Sequence, residues 1–357
     1  MSRVPLTKRT LDVLVIGAGQ AGLAVGRELE RAGRDFLILD GAQRVGDSWR
    51  NRWDSLRLFT PAAYSGLRGI PFPAAPDQYP GKDEVADYLA NYARAFSMPI
   101  ALDEPVRELR RCDGRNEHFI ATTDHARYRA RQVVIATGPF QAPHVPALAA
   151  TLRAGTLQLH SSAYRSPAQL PHGNVLVVGG GNSGVQIAAE LAAAGSRTVT
   201  LAVGTTMTRL PSRVLGCSIF EWLDRSGAMS VRSTSALGRR MRTRDTLIGE
   251  SPRGIARSHG VRLTTRVVGV EGSGVRAANG DRLAVDAVVW ATGFKPAYDW
   301  LRLPVLGADG RPVHRRGVTA VPGLFFIGLP WQHTRGSALL GWVARDAEYL
   351  AGYIATE

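Results

Sequence analysis

The chain has 357 residues, 45% of them apolar, and a formal charge of +14, a length that supports about two domains of ~100–200 residues each. No apolar run reaches the roughly 18–20 residues needed to cross a bilayer as a helix, which excludes that class of membrane protein. The charge is a poor nucleic-acid footprint: lysine is confined to Lys8, Lys82 and Lys295, and the 41 arginines among 44 basic residues are scattered apart from Arg239, Arg240, Arg242 and Arg244, a skew that fits GC-rich codon usage.

Residues 1–12 are short and basic and lead straight into Val13-Leu14-Val15-Ile16, without a signal peptide's apolar segment, so a cytoplasmic location is expected. Next come Gly17-Ala18-Gly19-Gln20-Ala21-Gly22 and an Ala/Leu/Glu-rich helix ending near Gly33. This is a dinucleotide fingerprint: two glycines let the backbone turn and approach a pyrophosphate, and the third lets helix and strand pack closely. The pyrophosphate then sits on the helix N-terminus, where free N–H groups and the macrodipole favour negative charge. Phe36-Leu37-Ile38-Leu39 ends in Asp40, a carboxylate suited to adenosine ribose hydroxyls. The first unit, residues 1 to about 45, reads as an FAD site.

From Arg44 to Pro80 the chain is rich in Gly, Pro and aromatics, too long for a plain connection and therefore expected to be functional. Gly81 to Phe96 predicts an amphipathic helix with Val85, Tyr88, Leu89, Tyr92 and Phe96 on its core face. A β-rich stretch is expected from Val106 to Tyr128. Val133-Val134-Ile135 then reads as a buried strand ending in the turn Ala136-Thr137-Gly138-Pro139.

A second fingerprint follows Val175-Leu176-Val177-Val178: Gly179-Gly180-Gly181-Asn182-Ser183-Gly184, opening a helix that ends near Gly195. Two copies, each between a strand and a helix, are far more specific than one. Aligning Gly17 with Gly179 sets Ala202 opposite Asp40, at the end of Val199-Thr200-Leu201. A missing carboxylate, with Arg209 and Arg213 downstream, suits the 2′-phosphate of NADPH; the alternative is that both arginines are solvated loop charges.

Residues 204–260 are less regular, with a helix expected near the substrate at Ile219-Phe220-Glu221-Trp222-Leu223. Ala287 to Phe294 repeats the Ala-Thr-Gly turn and reads as the return to the first domain. Leu324 to Gly328 gives a last strand and Ala338 to Ile354 a closing helix. A helix N-terminus at Gly336-Ser337-Ala338, with Arg335 nearby, would face the negative charge of a reduced flavin. The fold class is α/β: two Rossmann-like dinucleotide-binding domains, the NADPH domain (151–284, with an irregular insert at 204–260) inserted into a discontinuous FAD domain (1–150 and 285–357). Cys112 and Cys217 form no Cys-x-x-Cys pair, which disfavours disulfide-reductase chemistry. No metal-ligand spacing is found.

Paired fingerprints, paired Ala-Thr-Gly turns and Gly46-Asp47-Ser48-Trp49 together resemble the class B flavin-containing monooxygenases, in their short bacterial and plant-like form. The resemblance extends to Ser55-Leu56-Arg57-Leu58-Phe59-Thr60-Pro61, the Phe72-Pro73 pair and the tail from Gly328 to Ser337, and so covers nearly the whole chain. It implies bound FAD, NADPH as reductant, O2 as co-substrate, C4a-hydroperoxyflavin chemistry, and a small nucleophilic or carbonyl substrate. It also carries FAD contacts onto Gln20, Ala21, Ser48, Trp49, Thr60, Val106, Thr137, Gly138, Gly328 and Ser337, beside Gly17, Gly19, Gly22 and Asp40. NADPH contacts fall on Asn182, Ser183, Thr292 and Gly293, beside Gly179, Gly181, Gly184, Arg209 and Arg213.

Two departures stand out. The family motif Phe-x-Gly-x-x-x-His is Arg153-Ala154-Gly155-Thr156-Leu157-Gln158-Leu159-His160 here, with Arg153 for Phe and one extra residue before His160; Ser161, Tyr164 and Arg165 keep the rest. The asparagine that many members place beside the flavin is Phe59. Catalytic candidates are Phe59, Gln332, His333 and Arg335, with His333 a candidate proton donor and Trp49, Phe59 and Trp331 candidate walls. The competing functions are an NADPH-dependent flavoprotein reductase passing electrons to a protein or small acceptor, and a flavin-binding regulatory protein. Neither a nucleic acid nor a membrane is an expected partner, and the oligomeric state stays open, a homodimer being one option.

Overall fold

Val13, Leu14 and Val15 are wholly buried, as a strand covered on both faces must be, and they anchor the first of two sheets. A computed structural model describes residues 6–112, 117–205, 207–243, 246–272 and 274–356; Arg244 and the first five residues of the basic leader lie outside them. In the first sheet the strands run Ile100–Ala101, Phe36–Leu39, Leu6–Ile16, Arg127–Ile135, His118–Thr122 and Glu108–Cys112, with Leu324–Phe326 also paired to Arg127–Ile135. The second sheet is all parallel, in the order Arg262–Thr265, Arg197–Val203, Gly173–Val178, Ala287–Trp290 and Leu157–His160. The fold is α/β, two Rossmann-like units with the second inserted into the first.

Each sheet carries its fingerprint helix, Gln20–Arg31 or Asn182–Ala193. The expected amphipathic helix is Lys82–Ala95 and buries Val85, Tyr88, Leu89 and Tyr92. One apolar cluster runs through both units, from Val13 and Leu23 to Val177 and Ile187, with Tyr164 and Leu170 of the linking segment inside it. Where the chain crosses between units, Ala142–Pro143 pairs antiparallel with Phe294–Lys295, just after the two Ala-Thr-Gly turns. Among the described residues no helix is long and apolar enough to cross a membrane.

Three expectations change. Ala287–Trp290 belongs to the second sheet, paired with both Gly173–Val178 and Leu157–His160, so the chain returns to the first unit after Trp290 and not at 285. Tyr128 and Val133 lie in one strand, Arg127–Ile135, which serves an antiparallel neighbour with its first half and parallel neighbours along its length. The closing helix is Ala344–Thr356, starting six residues late. Residues 336–343 instead make successive turns, with the Leu339 N–H on Gly336 O (2.7 Å) and the Trp342 N–H on Leu339 O (3.0 Å). No helix N-terminus therefore lies at Gly336-Ser337-Ala338.

The irregular insert resolves into short pieces. Its expected helix is Ile219–Arg225, capped by the Ser218 hydroxyl accepting from the Phe220 N–H. A hairpin (Arg213–Val214 with Cys217–Ser218) precedes it, and helices Ala236–Arg242 and Pro252–His259 follow.

Candidate active site

The two fingerprints are built alike. Gly17 has φ 109°, and a Cβ there would stand 2.7 Å from Ala136 O; one on Gly22 would stand 1.8 Å from Gly17 O. Gly179 (φ 122°) and Gly184 repeat this at 2.2 Å from Ala291 O and 1.8 Å from Gly179 O. Each Ala-Thr-Gly turn thus packs beneath its own fingerprint, and the third glycine lets the helix sit on the turn. The middle glycines differ: a Cβ on Gly19 or Gly181 meets nothing within 4 Å. Both are N-caps in extended conformation of 12-residue helices, so each helix begins with an open cradle of backbone N–H groups.

Asp40 closes the first cradle. Its Oδ2 accepts from the Ala18 N–H at 2.5 Å and its Oδ1 from the Ala42 N–H at 2.8 Å. With Gly19 and Ser48 it lines a cleft of about 420 Å³. In the second unit Asp40's counterpart is Val203, not Ala202. Ile16 pairs with Leu39 and Val178 with Ala202, while Gly17 N donates to Leu39 O and Gly179 N to Ala202 O. The turn after Gly195 is one residue longer than that after Gly33, since Val13 pairs with Phe36 but Val175 with Val199. The absence of a carboxylate stands.

The remaining expected contacts divide. Gln20 Nε2 donates to Ala338 O at 2.8 Å, and a Cβ on Gly328 would come within 2.6 Å of the Ala21 Cβ, so the tail is seated on the start of the first helix. Thr60 is buried with its hydroxyl 3.0 Å from that of Ser65. Trp49 and Val106 are half-buried against the core. Thr137 Oγ1 accepts from Gln141, and Gly138 and Gly293 take positive φ in the two turns. Thr292 donates to His144 O. Asn182 Oδ1 accepts from the Ile248 N–H, and Ser183 follows it half-buried. Arg209 donates to Gly249 O, and Arg213 donates to Gly216 O and stands 3.6 Å from Asp77. Among the described residues neither guanidinium has a bond to the end of strand Arg197–Val203.

Of the four catalytic candidates, Gln332 is buried and structural: Nε2 donates to Phe326 O and Oε1 accepts from the Leu329 N–H. Ser337 likewise takes the N–H groups of His333 and Thr334. Burial, then the Arg316 charge, pull the His333 pKa below its ordinary value, which disfavours it as a proton donor. Arg335 is half-buried, and among the described residues no carboxylate lies within 4.0 Å of it. Phe59 stacks on Phe220 (6.0 Å, 14°), and with Leu58, Asn182 and Gln186 it lines a second cleft of about 570 Å³. That places it between the first unit and the second fingerprint helix.

The sequence reading missed Arg52, Phe140 and Phe294. Arg52 lines the first cleft 5.5 Å from the centroids of both rings, and burial followed by the Arg165 charge lowers its pKa. Phe140 and Phe294 each follow an Ala-Thr-Gly turn closely, which was the available signal. His160 bonds Gly293 O through Nε2 (2.9 Å), so the departed motif still ties the linking segment to the second Ala-Thr-Gly turn. Cys112 and Cys217 are both free. Among the described residues no group of three or more His, Cys, Asp or Glu comes together to hold a metal.

A family model described as pyridine nucleotide-disulphide oxidoreductase matches residues 14–223. A CzcO-like oxidoreductase of Geobacillus kaustophilus is 45% identical over 95% of this chain and 97% of its own. The probable indole-3-pyruvate monooxygenase YUCCA1 of Arabidopsis thaliana is 28% identical over 96% of this chain and 89% of its own. Among solved structures, the flavin-containing monooxygenase from Stenotrophomonas maltophilia superposes with a TM-score of 0.79 at 31% identity, over 97% of this chain and 98% of that one. FAD and NADPH are the cofactors these matches give, and the residues fit both: two open glycine cradles, one with a carboxylate, Asp40, at the end of the next strand and one without.

Proposed function

This chain belongs to the pyridine nucleotide-disulphide oxidoreductase family and to its class B flavin monooxygenase branch, and from that premise we propose a cytoplasmic enzyme that uses NADPH and O2 to place one oxygen atom on a small substrate. The substrate class is a soft nucleophile, sulfur or nitrogen, or the carbonyl carbon of a ketone or 2-oxo acid. The observation that carries this reading is the pair of intact fingerprints in one chain without a paired thiol, the second of them opening with Phe59 of the first unit onto one cleft.

The redox chemistry, hydride acceptance from NADPH and reaction with O2, would be supplied by FAD bound in the first unit. The chain's own residues bind, orient and keep the site dry. Asp40 holds the FAD ribose, and the helix starting at Gln20 receives the pyrophosphate over Gly19. The helix starting at Asn182 does the same for NADPH over Gly181. Gln332 fixes the loop that seats Gly328 on the first helix. Phe59, Phe220, Tyr64 and Trp342 form a continuous aromatic wall (centroid spacings 5.6–6.5 Å) that excludes water from the side facing the insert.

The test is a panel of sulfides, amines, ketones and 2-oxo acids supplied with NADPH under labelled O2. One labelled oxygen atom in the product, with NADPH oxidation accelerated by that compound, is expected. NADPH-driven reduction of an acceptor with no label in any product selects the flavoprotein reductase instead.

A further inference from the structure

We propose that Arg266 reads the 2′-phosphate of NADPH, and so sets the cofactor preference, in the place of the downstream arginines Arg209 and Arg213. Strand Arg262–Thr265 lies beside Arg197–Val203 at the edge of the second sheet, with Val203 opposite Thr265. Arg266 and Gly204 are therefore the next residues on two parallel neighbours, at the carboxyl ends where a doubly wound sheet takes its nucleotide. Val203 stands at the position where the first unit carries Asp40, the ribose ligand.

The side chain of Arg266 turns toward that spot. Its Nη2 donates to Gly204 O at 3.2 Å, and a Cβ on Gly204 would come 3.3 Å from its Nε. Gly204 thus leaves room for the guanidinium over the strand end, where a side chain would crowd it. The backbone of Arg266 is held as well, its O accepting from the Ala278 N–H at 2.8 Å. Among the described residues no carboxylate lies within 4.0 Å of the guanidinium, and the Gly204 bond is its single protein partner. Four further N–H groups remain to grip a dianionic phosphate in the fork geometry that suits it. An NADPH site needs a cation here and no carboxylate, and Arg266 with Val203 meets both conditions.

Arg209 and Arg213 do not compete for this place. Arg209 is on Gly249 O, and Arg213 is on Gly216 O with Asp77 near it. Both belong to the insert, and Arg266 to the strand beside the ribose position.

The proposal rests on NADPH being the reductant, and the experiment separates the two. Dissociation constants of NADP⁺, NAD⁺ and 2′-phospho-AMP are measured by calorimetry on the FAD-loaded protein and on Arg266→Gln, Arg209→Gln and Arg213→Gln. The native protein binds NADP⁺ more tightly than NAD⁺. Arg266→Gln weakens NADP⁺ and 2′-phospho-AMP about ten- to a hundredfold, the worth of charge-assisted hydrogen bonds, and leaves NAD⁺ within about twofold. The other two variants keep the native ratio. A native preference for NADP⁺ that survives Arg266→Gln overturns the assignment of Arg266 and leaves the NADPH reading intact. Equal native affinities overturn both. Val203→Asp gives a second readout: a carboxylate there favours NAD⁺ and repels the phosphate, and an unchanged ratio in a folded Val203→Asp protein also counts against this location.

Discussion

His160 sits where the linking segment meets the second Ala-Thr-Gly turn, and its two ring nitrogens have opposite duties. Nδ1 accepts from the Ser162 N–H (3.1 Å), and Nε2 donates to Gly293 O (2.9 Å), which assigns the neutral ring with its proton on Nε2. Burial lowers its pKa, the Gly293 bond opposes that, and the charges of Arg52 and His144 add to the lowering. His314 is similar: Nδ1 accepts from the Gly317 N–H at 3.2 Å, and burial lowers its pKa. For a histidine whose folded pKa lies below its unfolded value of ~6.5, the stabilisation is complete above that value. It is lost as the pH falls from there toward the folded pKa, because the unfolded chain takes up the proton first. The melting temperature should therefore fall between pH 7 and pH 5. His160→Gln, which retains one donor and one acceptor, should flatten that dependence. A variant with the full native slope would show that His160 contributes nothing to it.

The glycine-rich elements separate two demands that one motif combines. A Cβ on Gly22 collides with Gly17 O at 1.8 Å, so Gly22→Ala must push the helix off its strand and destabilise the first unit. A Cβ on Gly19 meets no protein atom within 4 Å, and the residue's φ of −76° suits alanine. Gly19→Ala should fold with a native apoprotein melting temperature yet lose FAD, because its methyl occupies the pyrophosphate's place. Retention of FAD at native affinity by Gly19→Ala is the result that removes the cofactor from this cradle. The same elements show what the sequence made legible. Apolar runs joined to Gly-x-Gly-x-x-Gly and the carboxylate at Asp40 are local signals, and they gave both sheets' central strands and both helices. The counterpart of Asp40 was misplaced by one residue because an extra residue in a turn leaves no mark on composition; only strand register exposes Val203. Ala287–Trp290 went to the wrong sheet because a four-residue apolar strand suits either core equally. Just before the closing helix the backbone at Gly341 runs against Tyr64, where a Cβ would strike Tyr64 O at 2.3 Å, a tertiary approach that periodicity does not encode. Arg52 and Arg266 were hidden for the same reason, since their roles come from neighbours distant in sequence.

The whole molecule is held as one working body by contacts between the first unit and the insert of the second. The tail residues His333, Arg335 and Gly336 pair backbone to backbone with Ser233, Val231 and Met229. Tyr79 donates to Ser212 O, and outside the insert Gln186 of the second fingerprint helix donates to Arg57 O. Trp342 is the hub: it is 4% exposed, stacks on Tyr64 (5.6 Å, 1°), packs on Phe220 (5.9 Å), and donates from Nε1 to Asp224 at 3.2 Å. These partners belong to both units, so the ring's loss should be felt at their boundary rather than inside either sheet. Trp342→Ala should cost about 3–5 kcal/mol, as truncation of a buried large aromatic does, read from denaturant unfolding. Hydrogen exchange should speed up at residues 229–233 and 333–336, while the central strands Leu6–Ile16 and Gly173–Val178 keep their protection. The opened wall should also admit water beside the flavin, so that more NADPH is spent on hydrogen peroxide for each product formed. Exchange that rises uniformly in both sheets would mean that Trp342 supports one undivided core, and that the insert is not a separable cover over the site.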